Sequence, residues 1–256
     1  MIIQGRAISP GRAEGVAIVY PEAFSFLGGV DGSTGRFNVM DGDITGKVFV
    51  FPNGKGSTVG SYVIYDLMVH GHAPCALVNR SAETIVTTGA VISNVPMVDN
   101  VDISLIHDGD FVVVDGNAGT IEIDGVRERD VVSSMLVRDG KVLLLRRKAD
   151  AHTYPGMRSL VSGIIEPGES PRDTAEREIS EETGLSATFV DEMPAIPVRW
   201  NDTVFVVHPF LFNAGEGDVV LDAENDGYEW VPLDLFSAEG TVDGVDRIVS
   251  YFASKL

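Results

Sequence analysis

The 256-residue chain has one cysteine, Cys75, and half as many basic as acidic side chains, 19 Lys and Arg against 38 Asp and Glu. A single cysteine excludes an internal disulfide and leaves no cysteine-rich metal or cluster site. The shortage of bases gives a net charge of −19. It runs through both halves: 14 acids minus 6 bases leaves −8 in residues 1–126, and 24 minus 13 leaves −11 in 127–256. A field of that sign opposes binding to a nucleic-acid polymer or an anionic membrane. No apolar run is long enough to span a bilayer and no basic-then-apolar leader opens the chain. The expectation is a cytoplasmic protein with no membrane partner. Internal repeats and low-complexity segments are absent too.

What the chain does have is an ordered acidic stretch, GIIEPGESPRDTAEREISEETGL, from Gly163 to Leu185. Ser170 suits a helix N-cap, Pro171 the first helical position, and Gly184 a stop. On such a helix Glu178, Glu181 and Glu182 stand at i, i+3 and i+4, so their carboxylates share one face. Like charges at that spacing repel, and hard oxygen ligands suit Mg²⁺ or Mn²⁺ as the compensating cation. Ala175 and Ile179 form the face turned to a sheet. Most Glu-rich helices are simply solvated, but acidity alone does not account for the order of Gly163, Glu169, Arg177-Glu178, Glu181-Glu182 and Gly184-Leu185.

That order resembles the Nudix hydrolase signature at every fixed position: Gly, five residues, Glu, seven residues, Arg-Glu, an aliphatic, any residue, Glu-Glu, any residue, Gly, an aliphatic. The resemblance implies an α/β/α sandwich over 127–256 and cation-assisted hydrolysis of a small nucleoside or isoprenoid diphosphate. It makes Glu178, Glu181 and Glu182 metal ligands, with the Gly163 carbonyl and Glu169 in support. Glu181 and Glu182 are the catalytic pair, a carboxylate activating the attacking water, and Arg177 is structural.

Around the box, Val131 to Val137 and Lys141 to Arg146 read as a hairpin about Asp139-Gly140, and Val204 to Phe212 as a strand. Tyr228 to Pro232 reads as the last strand and Val242 to Leu256 as a closing helix. In Nudix proteins the strand end after the hairpin faces substrate. Arg146, Arg147 and Arg158 are therefore candidate phosphate ligands, though surface charge explains any one of them as well. Asp222, Glu224 and Glu229 are further candidate ligands or bases. His208, in an apolar strand, reads as a satisfied interior histidine.

The first half is rich in Gly and Val, with short apolar runs at Met1–Ala7, 15–20, 47–51, 76–78, 90–92, 111–114 and 119–123 that read as strands. Asp124 to Asp130 is the most polar stretch between the halves and reads as a linker. After the run KVFVF comes Gly54-Lys55-Gly56-Ser57, then a helical pattern with Val59, Val63, Ile64, Leu67 and Met68 on one face. Glycines at 54 and 56 let backbone approach an anion, the helix start offers unpaired N–H groups, and Lys55 adds charge. On pattern alone the simpler reading is that Ser57 is an N-cap.

GGVDGSTGR (28–36), PNGKGSTVGSY (52–62), HAPCALV (72–78), TTGAVISNVPMVD (87–99) and GDFVVVDGNAGTIEI (109–123) together resemble the small, swivelling subunit of the aconitase-X family. The likeness implies a swivelling β/α domain over 1–126, like the small subunit of phosphomevalonate-dehydratase-type hydro-lyases. Ser57 would be catalytic, Gly54, Lys55 and Gly56 would bind a small phosphorylated substrate, and donors of the turn would stabilise a Ser57 alkoxide. The family's iron–sulfur cluster or metal belongs to a separate large subunit, which one-cysteine chemistry here also requires. The reading is a mixed α/β fusion of a dehydratase small subunit with a Mg²⁺- or Mn²⁺-dependent hydrolase. The alternatives are a non-catalytic, ligand-sensing Nudix half that regulates the dehydratase, or a vestigial swivel half beside an active hydrolase.

Overall fold

A computed structural model describes residues 1–256 and resolves two compact units, Met1–Val126 and Arg127–Leu256. The first contains β1 (Ile2–Gln4), β2 (Arg6–Ser9), β3 (Arg12–Val19), a short turn α1 (Phe26–Gly29), β4 (Val48–Phe51), α2 (Gly60–Val69), β5 (Ala76–Asn79), α3 (Thr84–Ile92), β6 (Met97–Asp99), β7 (Phe111–Asp115) and β8 (Thr120–Ile123). One eight-stranded sheet runs β1-β8-β7-β3-β4-β5-β6-β2. Its centre, β3 to β6, is parallel, and the outer strands pair antiparallel.

Central parallel strands are covered on both faces, and β4, β5 and β6 are buried at every position. Phe49 and Phe51 meet Phe24 and Phe26 edge-on or tilted, with ring centroids 4.9–6.1 Å apart. Ile64 and Leu67 of α2 and Val86 and Ala90 of α3 close over this cluster. Residues 90–92 therefore end a helix and are not the strand their sequence suggests. The Glu83 carboxylate caps α3, accepting from the backbone N–H groups of Ile85 and Val86 at 2.8 and 3.0 Å, and β-propensity loses to that cap.

The second unit contains β9 (Arg127–Arg138), β10 (Lys141–Arg147), β11 (Arg158–Ser159), β12 (Val161–Ile164), α4 (Pro171–Thr183), β13 (Ala187–Glu192), β14 (Ile196–Trp200), β15 (Thr203–Ala214), β16 (Asn225–Pro232) and α5 (Val245–Ala253). β9 is the spine. It lies parallel to β15 from Arg127↔Thr203 to Val137↔Asn213, and its other edge pairs with β12 and then β10. Strand alternation separates two cores. Val132, Leu136, Leu143, Leu145, Phe210 and Phe212 pack on Ala175 and Ile179 of α4. Met135, Val137, Leu144, Val207 and Leu211 pack on Val249 and Phe252 of α5. The result is a sheet between helices. Arg127 to Asp130, linker-like in sequence, are the first residues of β9.

No helix in either unit is long and apolar enough to cross a membrane.

Candidate functional sites in the two units

In the first unit the loop after β4 leaves from the carboxyl end of the parallel strands, where open α/β sheets place their ligands. Two buried polar residues fix that edge. Asn79 at the end of β5 donates to the Phe51 carbonyl at 2.8 Å, and Asp99 at the end of β6 accepts from Arg6 and from the Ala82 N–H. The loop itself is anchored by Lys55 N–H donating to the Phe24 carbonyl at 2.9 Å. A side chain at Gly54 would collide with the Glu83 carboxylate, so only glycine fits there. Lys55 to Val59 are then exposed, with Gly56 at φ +99°.

Ser57 is not the helix cap. α2 starts at Gly60 with Val59 in the cap position and no side-chain cap, while the Ser57 hydroxyl accepts from the Val59 N–H at 3.3 Å. Ser57 and the Lys55 ammonium face solvent together. On α2 Ile64 and Leu67 are buried and Val63 and Met68 half-buried as the pattern implies, but Val59, ahead of the helix, is exposed, and so are Tyr62, Tyr65 and Val69 on the other faces. Cys75 is half-buried, and burial pushes its thiol pKa up.

In the second unit a cleft of about 700 Å³ opens beside α4. α4 begins at Pro171 because Ser170 Oγ accepts from the Asp173 N–H at 3.1 Å, and it stops at Gly184, which takes φ +67°. Glu178, Glu181 and Glu182 all line the cleft, together with Glu166, Asp222 and Glu224. Their environments differ. Glu182 is only 4% exposed; burial first, then the charges of Glu178 and Asp222, pushes its pKa up to about 9. The Glu178 side chain is 13% exposed and its pKa is raised, mainly by burial. Glu181 is 58% exposed.

Arg177 organises the group. Its guanidinium bonds Glu169 through two nitrogens, each at 3.1 Å, and reaches Glu178 at 2.8 Å and Glu181 at 2.9 Å. Thr174 Oγ1 also donates to Glu169, whose pKa falls to about 2 under these bonds. With Arg177 so placed, no three acids converge on one point at ligand distance. The donor set still suits a hard dication. Three carboxylates, those of Glu178, Asp222 and Glu224, line the same cleft as Glu182 and raise its pKa. Gly163 leaves the space that the Glu178 carboxylate occupies. Glu178, Glu182 and the Gly163 carbonyl are the groups that would hold such an ion.

The arginines fall differently from the sequence reading. Arg146 is outside the cleft, bonded to Asp226 at 2.6 Å. Arg158 is also outside it, bonded to Glu229 at 2.9 Å and to the backbone carbonyls of Ser237 and Glu239. Arg147 lines the cleft, but its guanidinium is spent on the Thr153 carbonyl and hydroxyl at 2.9 and 3.2 Å. The cleft arginine whose guanidinium is committed neither to Thr153 nor to the α4 carboxylates is Arg129, which the sequence reading placed in the linker. Its signal was strand parity: Arg129, Val131 and Ser133 alternate along one face of β9, legible only once β9 is known to begin at Arg127. Glu229 drops out as a ligand, whereas Asp222 and Glu224 stay. His208 bonds Asp130 at 2.8 Å.

An exposed glycine loop at the end of a parallel strand in one unit, and an acid-lined cleft beside a Glu-rich helix in the other, are two separate candidate sites. Residues 2–123 match the family model of the aconitase X swivel domain, and residues 127–252 match that of the NUDIX domain. The phosphomevalonate dehydratase small subunit of Methanocella arvoryzae is 52% identical over 131 residues, 48% of this chain and 99% of the relative. That of Thermococcus kodakarensis is 52% identical over 48% of this chain and 96% of its own. Among solved structures, aconitase X of Thermococcus kodakaraensis in its holo form has 50% identity and a TM-score of 0.47, over 48% of this chain and 98% of that one. A MutT protein from Methanosarcina mazei Go1 has 24% identity and a TM-score of 0.45, over 51% and 96%. The chain belongs through its first half to the aconitase X swivel-domain family, joined to a NUDIX domain.

Proposed function

We propose that the chain is the small subunit of a phosphomevalonate-dehydratase-like hydro-lyase fused to a divalent-cation-dependent hydrolase of a small diphosphate. The hydrolase reading is carried by one observation: Glu182 is buried among carboxylates, with its pKa raised to about 9 and Gly163 making room for Glu178 beside it. When bound, Mg²⁺ or Mn²⁺ supplies charge neutralisation at the diphosphate. Glu178 and Glu182, with the Gly163 carbonyl, hold it. Arg177 and Glu169 keep α4 and the preceding loop in register. Glu181, the most exposed of the three, leaves Arg177 and takes a proton from water. The water oxygen bonds to one phosphorus as the bridging P–O bond breaks, giving a monophosphate and a second phosphate product. Arg129 steadies the phosphates.

A panel of diphosphates with Mg²⁺ tests this. Turnover that disappears in Glu181→Gln supports it, and a flat panel removes it. A flat panel combined with ligand-dependent change in dehydratase rate selects the sensing reading, which the Arg177 pairing of Glu178 and Glu181 favours.

For the first unit the proposal is that Ser57, flanked by Gly54, Lys55 and Gly56, completes an active site whose cluster or metal is held by a separate large subunit. Support comes from the solvent-facing loop and from the exposed Tyr62, Tyr65 and Val69 on the adjoining helix, apolar surface that a partner would cover.

A further inference from the structure

The cleft in the second unit has a second side, away from the α4 glutamates, where Asp243 is the one acid and is bonded to Tyr154. There the sheet face presents Val131 of β9, Val198 of β14, and Phe205 and Val207 of β15, with Arg129, the exposed register partner of Phe205, at the start of β9, and the first turn of α5 answers with Val245 and Ile248. Strand parity makes this wall. Val131 and Val207 are register partners across the parallel β9–β15 pair, so both side chains point to the α5 side, and Phe205 follows one pleat earlier. The same residues continue into the apolar core under α5. The cleft therefore joins a charged end to a branched-aliphatic end within one cavity.

That end is poorly equipped for a nucleobase. A base carries several ring-edge donors and acceptors, and burying them without partners is penalised. No Asn or Gln lines the cleft, which leaves His152, Tyr154 and a few Ser and Thr hydroxyls as its neutral polar groups. The Tyr154 hydroxyl is already committed, donating to Asp243 at 3.2 Å, and the Thr203 hydroxyl donates to Asp202 at 3.3 Å. Stacking is equally limited. The Tyr154 ring packs on Trp200 with centroids 4.1 Å apart, so of the rings along the cleft Phe205 and the small imidazole of His152 are left to offer a face. A branched hydrocarbon needs none of these partners and gains from every methylene it buries there.

Resting on the hydrolase reading above, we infer that the group joined to the diphosphate is a branched hydrocarbon chain, so that the substrate is a prenyl-type diphosphate and not a nucleotide. The charged end takes the phosphates, the aliphatic end takes the chain, and length discrimination falls to Ile248 and Val245 at the α5 side.

Calorimetric titration of the full chain in Mg²⁺ tests this with three non-hydrolysable probes: methylenediphosphonate, its isopentyl ester and α,β-methylene-ADP. The isopentyl ester should bind at least tenfold more tightly than the nucleotide, by about fourfold for each methylene buried. Val131→Thr, which keeps volume and adds a hydroxyl, and Ile248→Ala should each weaken the isopentyl ester several-fold and leave methylenediphosphonate unchanged. Equal or tighter binding of α,β-methylene-ADP overturns the inference while the hydrolase stands. Variants that weaken both organic probes and methylenediphosphonate alike also overturn it. Failure of methylenediphosphonate itself to bind, with no diphosphate cleaved, removes the hydrolase reading and this inference with it.

Discussion

The carboxylate of Glu178 occupies the space where a side chain on Gly163 would be. Strand β12 and helix α4 are packed so closely that one methyl group on the strand would displace an acid on the helix. Gly163→Ala should therefore lower affinity for Mn²⁺ at least tenfold, read by calorimetry or by the electron paramagnetic resonance of free Mn²⁺. The α5-side core does not touch this point, so the circular dichroism of the domain should survive.

Glu182 sets a pH dependence of stability. Its folded pKa, about 9, lies above the ordinary carboxylate value of 4.5, so between those limits the native state holds more protons than the unfolded chain. Stability of the second unit should fall as pH rises from about 4.5 to about 9, with no further loss from this group above that. A dication opposes the loss, so the Mg²⁺-induced rise in melting temperature should be larger at pH 8 than at pH 5.5. Glu182→Gln should melt several degrees higher than the parent in EDTA at pH 8 and lose the response to Mg²⁺.

Glu169 has the opposite sign. The Arg177 bonds pull its pKa down to about 2, so its contribution is present above about 4.5 and is lost as pH falls toward 2. Arg177→Ala should lower the melting temperature in EDTA at pH 7, because Glu169, Glu178 and Glu181 lose their shared cation. Added Mg²⁺ should recover part of that loss.

The arginines offer a direct comparison. With a diphosphate substrate, Arg129→Ala should raise KM about tenfold, as loss of a charge-assisted contact does. Arg146→Ala should leave KM within about twofold, because its guanidinium serves Asp226 outside the cleft. Steady-state kinetics on the two variants decide between the strand-parity assignment and the sequence-order one.

If the proposed dehydratase role holds, Ser57→Ala should abolish the dehydratase activity of a mixture with an aconitase-X-type large subunit and leave the complex intact, since Ser57 is exposed and holds only a local turn. Tyr62→Asp should do the reverse, weakening co-sedimentation in ultracentrifugation.

The α4 site was legible in sequence as far as local rules reach. Ser170, Pro171 and Gly184 bound the helix by capping chemistry that depends on neighbours in the chain, and the i, i+3, i+4 spacing alone put Glu178, Glu181 and Glu182 on one face. Longer-range choices were closed to it. A run such as Ala90-Val91-Ile92 fits strand or helix, and the Glu83 cap and packing on Ile64 made it helix. Side-chain direction on a strand inverts with a one-residue change of register, so the β9–β15 pairing put Arg129 in the cleft, while the β10–β16 pairing, irregular between Arg146 and Arg147, set Arg146 against Asp226 outside it. Sequence by itself determined which acids exist and that they share a helix face. Tertiary structure decided which of them is buried, which arginine neutralises them, and that Asp222 and Glu224 come to the same wall, because desolvation and pairing depend on distances between segments far apart in the chain.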